Sequence, residues 1–333
     1  MIFITGGSGL IGSFLIAHFL EKGVAIKALY RQTIPTHLAD SPQIDWIKGD
    51  ISDSFLLREI IGQVSQVYHC AGLVSYAPQD ADLLQEVNVA GTINVVDACL
   101  ENPQVKLCHV SSVAAIGGAK GKALLTENTK WDPAAAHSLY GSSKYLGELE
   151  VWRGIAEGLH AFIVNPSVVL APSRDWNRSS SQLFKYVAEE KRFYTRGQAN
   201  FVDVRDVVTC MTSLMEEPAA FGERYILNAG ALPYRQFFEQ VAAGLGRRPP
   251  SWQVPDVLAA LIWRVEGLRA FITGKRPLIT KDTANIAKRS HVYSNEKVKR
   301  LVPGVFRSLA ETIAWCCQEL KKQQVLLSET RNS

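Results

Sequence analysis

Tyr140 and Lys144 stand four positions apart in the stretch Tyr140-Gly-Ser-Ser-Lys144. On a helix, positions i and i+4 share a face, so a phenol and an ammonium spaced this way can point into one cleft. A tyrosine with an ordinary pKa near ~10 is a poor acid or base at neutral pH. Bringing it down by roughly 3 pH units asks for about 4 kcal/mol in favour of the phenolate. A lysine cation beside it in a water-poor site can supply that. The same spacing is common on solvated helices, and its position is what distinguishes it here. It opens the helix that follows a fifth apolar run, and a serine pair, Ser111-Ser112, stands at the end of that run.

The other chemistry-bearing stretch is Met1-Ile-Phe-Ile-Thr-Gly-Gly-Ser-Gly-Leu-Ile-Gly12. Four residues of strand character run into Gly6, Gly9 and Gly12, and a 3.6-period pattern follows, ending at Gly23. Gly6 permits a tight turn, Gly9 lets backbone approach a pyrophosphate, and Gly12 lets helix pack closely on strand. The diphosphate would rest on the free N–H groups and positive end of the helix. A turn that merely needs flexible residues is the plainer alternative, but the strand–turn–helix context fits a dinucleotide.

These groups need elements to carry them. Apolar runs at 2–5, 24–30, 44–48, 66–70, 106–110 and 160–164 do not alternate with polar residues, and they take turns with helical patterns at 10–23, 54–61, 82–100 and 139–157. Strands buried on both faces and separated by helices predict an α/β fold with a doubly wound parallel sheet. Right-handed crossovers put the strand ends that precede the glycines, the serines and Tyr140 along one edge. After Pro166 the alternation stops. Residues 174–181 are polar and serine-rich, as in a mobile loop, and 201–204 and 224–228 read as two short strands returning to the sheet. From Pro233 the chain is mostly helical, with a link at Arg248-Pro249-Pro250. The organisation expected is a nucleotide-binding domain over 1–170 that regains 200–231. A smaller, mainly helical substrate lobe comes from 171–199 and 232–324, and the tail 325–333 is frayed.

Composition narrows the partners. The 333 residues are 47% hydrophobic and 20% charged, with 36 basic and 32 acidic side chains and a net charge of +4. No basic run interleaved with aromatics exists, which argues against nucleic acid. The six cysteines show no metal-type spacing, so no metal is expected, and they read as buried small hydrophobes of a reducing compartment. The first strand leaves no room for a signal peptide, and the longest apolar contender, 254–272, is broken by Asp256, Arg264, Glu266 and Arg269. A soluble cytoplasmic protein with no membrane span is expected.

With these residues in view the chain resembles the extended short-chain dehydrogenases/reductases, also called the epimerase/dehydratase family, whose cofactor half is a Rossmann sheet. The resemblance covers nearly the whole chain. It rests on Thr5-Gly-Gly-Ser-Gly-Leu-Ile-Gly12, Gly49-Asp50, His69-Cys-Ala-Gly72, Val87-Asn-Val-Ala-Gly-Thr92, Val110-Ser-Ser112, Tyr140 with Lys144, and Asn165-Pro-Ser-Val-Val169. It implies that Tyr140 is the catalytic acid/base, that Lys144 holds the nicotinamide ribose and lowers the tyrosine pKa, and that Ser112, rather than Ser111, binds the reacting oxygen. It implies cofactor contacts at Gly6, Ser8, Gly9, Leu10, Ile11 and Gly12. Asp50 and Ile51 would meet the adenine, Cys70, Ala71 and Gly72 the diphosphate and ribose path, and Pro166 to Val168 the nicotinamide amide. Asn88 matches the family's helix asparagine, with a structural role the better reading, and Asp206 is read as an N-cap.

Users of NAD place an acid at the end of the second strand, and residues 28–33 hold none. Arg31 stands there instead, and a guanidinium suits a 2′-phosphate, so NADP is expected, with NAD the alternative. Leu29-Tyr-Arg31, Phe201-Val-Asp-Val-Arg-Asp206 and the stretches 274–280 and 291–297 resemble the branch of dihydroflavonol and cinnamoyl-CoA reductases and 3β-hydroxysteroid dehydrogenases. Ala171, where the family usually has glycine, is a departure, and Ala114-Ala115 lean toward an apolar substrate. Trp252, Leu258, Leu261, Trp263 and Phe271 read mostly as core, and Lys185, Arg192, Arg196 and Lys275 as a phosphate site or a solvated face. The reading is an NADP(H)-dependent oxidoreductase interconverting a ketone or aldehyde and an alcohol of a small-molecule substrate. A homodimer through the helices near Asp82 and Leu139 fits the family. A nucleotide-sugar epimerase or dehydratase with bound NAD is the alternative, and a non-catalytic cofactor sensor ranks last.

Overall fold

The first strand, Ile2–Thr5, has no polar face: Ile2 and Ile4 enter one layer of core and Phe3 enters the layer on the other side. Such a strand belongs inside a parallel sheet covered by helices. The computed structural model describes residues 1–117, 124–135, 137–173, 175–176, 180–255 and 291–332. In chain order its strands are β1 (Ile2–Thr5), β2 (Ile26–Tyr30), β3 (Ile44–Lys48), β4 (Gln66–His69), β5 (Lys106–Val110), β6 (Leu124–Leu125) and β7 (His160–Pro166). Then follow β8 (Val168–Leu170), β9 (Phe193–Tyr194), β10 (Gln198–Asp203), β11 (Arg224–Leu227), β12 (Gly230–Pro233), β13 (Trp252–Gln253) and β14 (Val292–Tyr293). The helices are α1 (Leu10–Glu21), α2 (Ser54–Ile61), α3 (Ala81–Gln85), α4 (Gly91–Leu100), α5 (Leu139–Ala156), α6 (Ser181–Ala188), α7 (Val204–Glu216), α8 (Tyr234–Leu245), α9 (Glu296–Leu301) and α10 (Leu309–Asn332).

Seven strands form one sheet in the order β11-β7-β5-β4-β1-β2-β3, with every neighbouring pair parallel. The doubly wound parallel sheet expected from the sequence is therefore present. The chain proceeds outward from β1 to β3 and from β4 to β11, so the winding reverses between β1 and β4. Open α/β sheets bind ligands at that reversal, beyond the carboxyl ends of the strands. On one face Leu15, Ile16 and Phe19 of α1 pack with Val207, Met211 and Leu214 of α7. On the other, Leu57 and Ile60 of α2 pack with Val95 and Val96 of α4 and Val151 of α5.

One of the two strands expected to return does so. β11 pairs with β7 in the main sheet, but β10 belongs to a separate three-stranded sheet, β12-β10-β8. β7 ends at Pro166, which offers no N–H on the side facing β5, and after one last rung from the Ser167 N–H to Leu227 the chain enters β8 of a new sheet that β10 joins. Behind it, Phe184, Phe201, Phe237, Val241, Ile313 and Leu320 form a third core.

Other departures are local. The 81–100 helix is continuous but holds a π-turn at Glu86–Ala90. α10 runs on to Asn332 where a frayed tail was expected, because 309–332 contains no Gly or Pro and many strong helix formers. Asp203, not Asp206, caps α7 by accepting from the Arg205 N–H at 2.8 Å; it lies at the junction where the strand ends. Asp206, one turn in, instead takes the Arg307 N–H at 2.8 Å and pairs with its guanidinium. Trp252 is no core residue, being 64% exposed and edge-on to Phe193. Leu258, Leu261, Trp263, Phe271, Lys275 and, in the serine-rich loop, Arg174 and 177–179 lie outside the described residues. All six cysteines are free, five of them buried. Among the described residues no helix is long and apolar enough to cross a membrane.

Candidate active site

The turn between β1 and α1 is shaped by what its glycines lack. Gly6 has φ +67°, and a Cβ on it would lie 2.6 Å from the Ala71 nitrogen and 2.7 Å from its Cα, in the backbone leaving β4. A Cβ on Gly12 would run into the Gly6 carbonyl, which already accepts the Gly9 N–H at 2.9 Å. α1 then begins at Gly9 with no side-chain cap and no acid in its first turn. A cradle open to backbone N–H groups, with the Cys70–Ala71 backbone against it, fits the diphosphate of a dinucleotide. Ser8 is exposed beside it, and Leu10 and Ile11 are half-buried.

Just beyond β2, Arg31 approaches Asp50 at 3.7 Å, with 61% of its side chain exposed. An exposed pair at that distance is weak, so the guanidinium is free to turn to an anion. Ile51 is buried against Gly91, and its carbonyl accepts from Asn94 at 3.0 Å. Cys70 is half-buried, with its thiol pushed up to about 12 by burial. At the opposite end Pro166 is buried and Val168 exposed, where β7 gives way to β8.

The acid/base group comes from α5. Ser138 caps it, accepting from the Gly141 N–H at 3.0 Å, and so starts the helix just before Tyr140. The inward stripe is Tyr140, Gly141, Ser143, Lys144, Gly147, Glu148, Val151 and Gly154, unusually small and polar for a buried face. Gly141 and Gly147 let the helix settle on the Ala114 and Asn88 carbonyls. The sequence-derived trio is thereby brought together. The Tyr140 phenol hydrogen-bonds the Ser112 hydroxyl, and Lys144 Nζ donates to the Val110 carbonyl at 2.8 Å. Ser111 turns the other way, toward Glu148. Burial raises the Tyr140 phenol above its ordinary value and the Ser112 hydrogen bond pulls it partly back, so at neutral pH it is a proton donor. Burial lowers Lys144 to about 8, against the pull of Glu148.

Other buried polar groups frame the trio. The Ala71 N–H donates to Thr5 Oγ1 at 3.2 Å, which lies 2.7 Å from His69 Nδ1; His69 Nε2 lies 3.2 Å from Thr92 Oγ1, which donates to the Asn88 carbonyl at 2.8 Å. One direction satisfies every member: Thr5 donates to Nδ1 and Nε2–H donates to Thr92, which fixes a neutral His69. Burial, with Lys144 nearby, lowers His69 to about 3. Asn88 clamps the Leu73 backbone through both its amide atoms, at 2.8 and 2.9 Å, and reaches Ser143 Oγ at 2.9 Å. Its role is architectural: it braces the π-turn against the strand exit and α5. Sequence reasoning missed Glu148, Arg224 and Tyr76. Glu148 accepts from Asn165 and, at 3.2 Å, from Arg224. It continues the i, i+4 series of Tyr140 and Lys144, but only its partner Arg224 marks it out. Tyr76 packs edge-on against Tyr140 with ring centroids 5.7 Å apart.

A model of the family described as the NAD dependent epimerase/dehydratase family matches residues 2–230. Sterol demethylase protein B of Methylococcus capsulatus is 24% identical, covering 94% of this chain and 97% of its own. Cinnamoyl-CoA reductase 1 of Petunia hybrida is 28% identical over 68% of this chain and 72% of its own. Among solved structures, that of gox2253 superposes with a TM-score of 0.82 at 26% identity, covering 97% of this chain and 98% of that one.

Proposed function

Because the chain belongs to the NAD-dependent epimerase/dehydratase family of extended short-chain dehydrogenases/reductases, whose members are NAD(P)-dependent enzymes, we propose that it is an NADP(H)-dependent reductase of an apolar ketone or aldehyde. One observation carries this reading: a buried phenol hydrogen-bonded to Ser112, with a buried ammonium one turn along the same stripe of α5. When bound, the nicotinamide supplies or accepts the hydride. The uncapped start of α1 holds the diphosphate, with Gly6, Gly9 and Gly12 keeping the cradle open, and Arg31 turns to the 2′-phosphate. Ser112 donates a hydrogen bond to the carbonyl oxygen, and Tyr140 gives up its proton as negative charge develops there. Lys144 steadies the phenolate left behind. A phenol that burial keeps protonated suits reduction, whereas oxidation would first have to ionise it.

The substrate half of the proposal is supported by the Tyr76 ring lying edge-on to Tyr140 and by the 28% identity to a cinnamoyl-CoA reductase. The seven-stranded sheet and its helices are taken as the cofactor half, and the three-stranded sheet with the core behind it as part of the substrate lobe. The test is a screen of NADPH oxidation against ketones, aldehydes and sterols with wild type and Tyr140→Phe. Loss of the proton donor is expected to lower kcat by about 10²–10⁴-fold while cofactor still binds. Near-normal turnover in Tyr140→Phe refutes the mechanism. Stoichiometric NAD⁺ in the purified protein, with no net redox across the panel and a thermal shift with UDP-sugars, would move the reading to a nucleotide-sugar epimerase or dehydratase.

A further inference from the structure

Glu148 is 1% exposed, on the stripe that presents Tyr140 and Lys144, and the acid/base scheme above makes no use of it. Its surroundings are all donors. Arg224 Nη1 of β11 reaches Oε2 at 3.2 Å, Asn165 Nδ2 of β7 reaches Oε1, and the Ser111 hydroxyl of the β5 exit faces it as well. The Arg224 and Asn165 N–H groups can only donate, so a carboxylate satisfies them by accepting on both oxygens. Arg224 is held from behind by the carbonyls of Glu127, at 2.9 Å from Nε, and Thr129, at 3.2 Å from Nη2. Asn165 also donates to the Ser112 carbonyl at 2.9 Å. One buried carboxylate thus braces three strand ends: it faces the lysine along its own helix and, through Asn165, the backbone of the oxygen-binding serine.

We propose that Glu148, clamped between Arg224 and Asn165, is a positioning residue that keeps Lys144 charged and Ser112 in register for proton transfer. The inference rests on the reading of Tyr140, Ser112 and Lys144 as the reacting set. The groups that face Lys144 leave Glu148 as its counter-charge. From β4 and its exit come His69 and Cys70, from β5 His109 and the Val110 carbonyl, from the π-turn Asn88, and from α5 Tyr140 and Glu148. Burial keeps both histidines uncharged and the thiol protonated at neutral pH, and the phenol is neutral too. Among the described residues, Glu148 is therefore the one ionised acid facing the ammonium. Burial pushes Glu148 itself upward, and Ser111, Arg224 and Asn165 pull it back. Arg224 thus acts on the lysine through the carboxylate it keeps ionised.

The sign of the effect follows. Removing a negative charge lowers the pKa of each neighbouring group, so Glu148→Gln makes Lys144 easier to deprotonate. At helical i, i+4 spacing and the effective dielectric of a protein site, the shift is roughly one to two pH units. It is read without any substrate: the cofactor-free protein is acetylated with acetic anhydride across a pH series, and Lys144 modification is quantified by mass spectrometry. Wild type is expected to titrate near about 8, Glu148→Gln well below that, and Glu148→Asp close to wild type, a rescue that loss of packing would not produce. The double variant Glu148→Gln/Arg224→Met removes the pair as a unit, which buried pairs tolerate better than loss of one partner. It is expected to fold and to show a smaller downward shift. In turnover, the alkaline limb of kcat should move down with the lysine while the cofactor KM stays within threefold. A Lys144 titration unchanged in both the single and the double variant overturns the proposal. A failure to find any carbonyl substrate overturns the reductase reading instead and leaves the lysine titration standing.

Discussion

Replacing Gly6 by alanine separates two costs that a left-handed glycine usually confounds. Gly6 and Gly23 have nearly the same backbone, φ +67° and +70°, yet a Cβ on Gly23 meets nothing within 4 Å. Gly23→Ala therefore reports the backbone term alone, about 1–2 kcal/mol for an L-residue in that region. On Gly6 the same Cβ lands 2.6–2.8 Å from three backbone atoms of Cys70 and Ala71, where ordinary contact starts at 3.4 Å. The exits of β1 and β4 must part by several tenths of an ångström, and overpacking of that kind adds about 1–3 kcal/mol. Gly6→Ala should thus cost roughly 2–5 kcal/mol against 1–2 for Gly23→Ala. The same parting misaims the N–H groups that face the diphosphate. Losing one or two hydrogen bonds to a charged group, at about 1.5–3 kcal/mol each, weakens cofactor binding by 10-fold to well over 100-fold. Urea unfolding followed by circular dichroism measures the first difference, and quenching of tryptophan fluorescence by NADPH measures the second. Equal destabilisation by the two alanines, with NADPH affinity in Gly6→Ala within threefold of wild type, would refute the reasoning.

Two further outcomes follow from other residues. Arg31→Ala should raise the KM for NADPH by about 10–100-fold and leave that for NADH nearly unchanged, since only the 2′-phosphate loses its partner. Equal losses for both coenzymes would assign Arg31 to the adenine. The buried histidines predict acid lability. His69 is held at about 3 and His109 well below its ordinary value, both by burial, so folding excludes a proton that the unfolded chain takes up below pH 6.5. Their contribution is complete above pH 6.5 and is lost as pH falls below it, by up to ~1.4 kcal/mol per pH unit for each histidine. His109 has no hydrogen-bond partner among the described residues, so His109→Leu should be neutral or stabilising at pH 7.5 and should halve the loss of urea stability between pH 6.5 and 5.5. An unchanged pH slope in that variant sinks the argument.

The sequence was most legible where a single physical demand dominated. β1 and β5 begin and end where expected, because runs of residues buried on both faces stop abruptly at Gly6 and Ser111, and β3 and α2 do so because Gly49 and the Asp53 cap punctuate them. Tyr140, Lys144 and Ser112 were legible for a similar reason: helix spacing and a strand end leave them few places to go. What escaped reading depended on partners far away in sequence. Glu148 looks like one more charge on a helix until Arg224, 76 positions on, is seen to face it. Asp203 and Asp206 are both plausible caps, and the choice is made by Arg307 and by Thr312, which donates to Asp203 at 3.0 Å. The separate sheet was hidden because β8 is only three residues long and carries no pattern of its own.

β11, which delivers Arg224, is the last strand in sequence to join the seven-stranded sheet and forms one of its edges. The cradle between β1 and β4 needs nothing beyond the first third of the chain, whereas the clamp on Glu148 waits for residue 224. On a ribosome, where N-terminal segments emerge first, the residues of that cradle are thus exposed well before the carboxylate beside Lys144 gains its guanidinium. The clamp on Glu148 closes only with the last edge of the sheet.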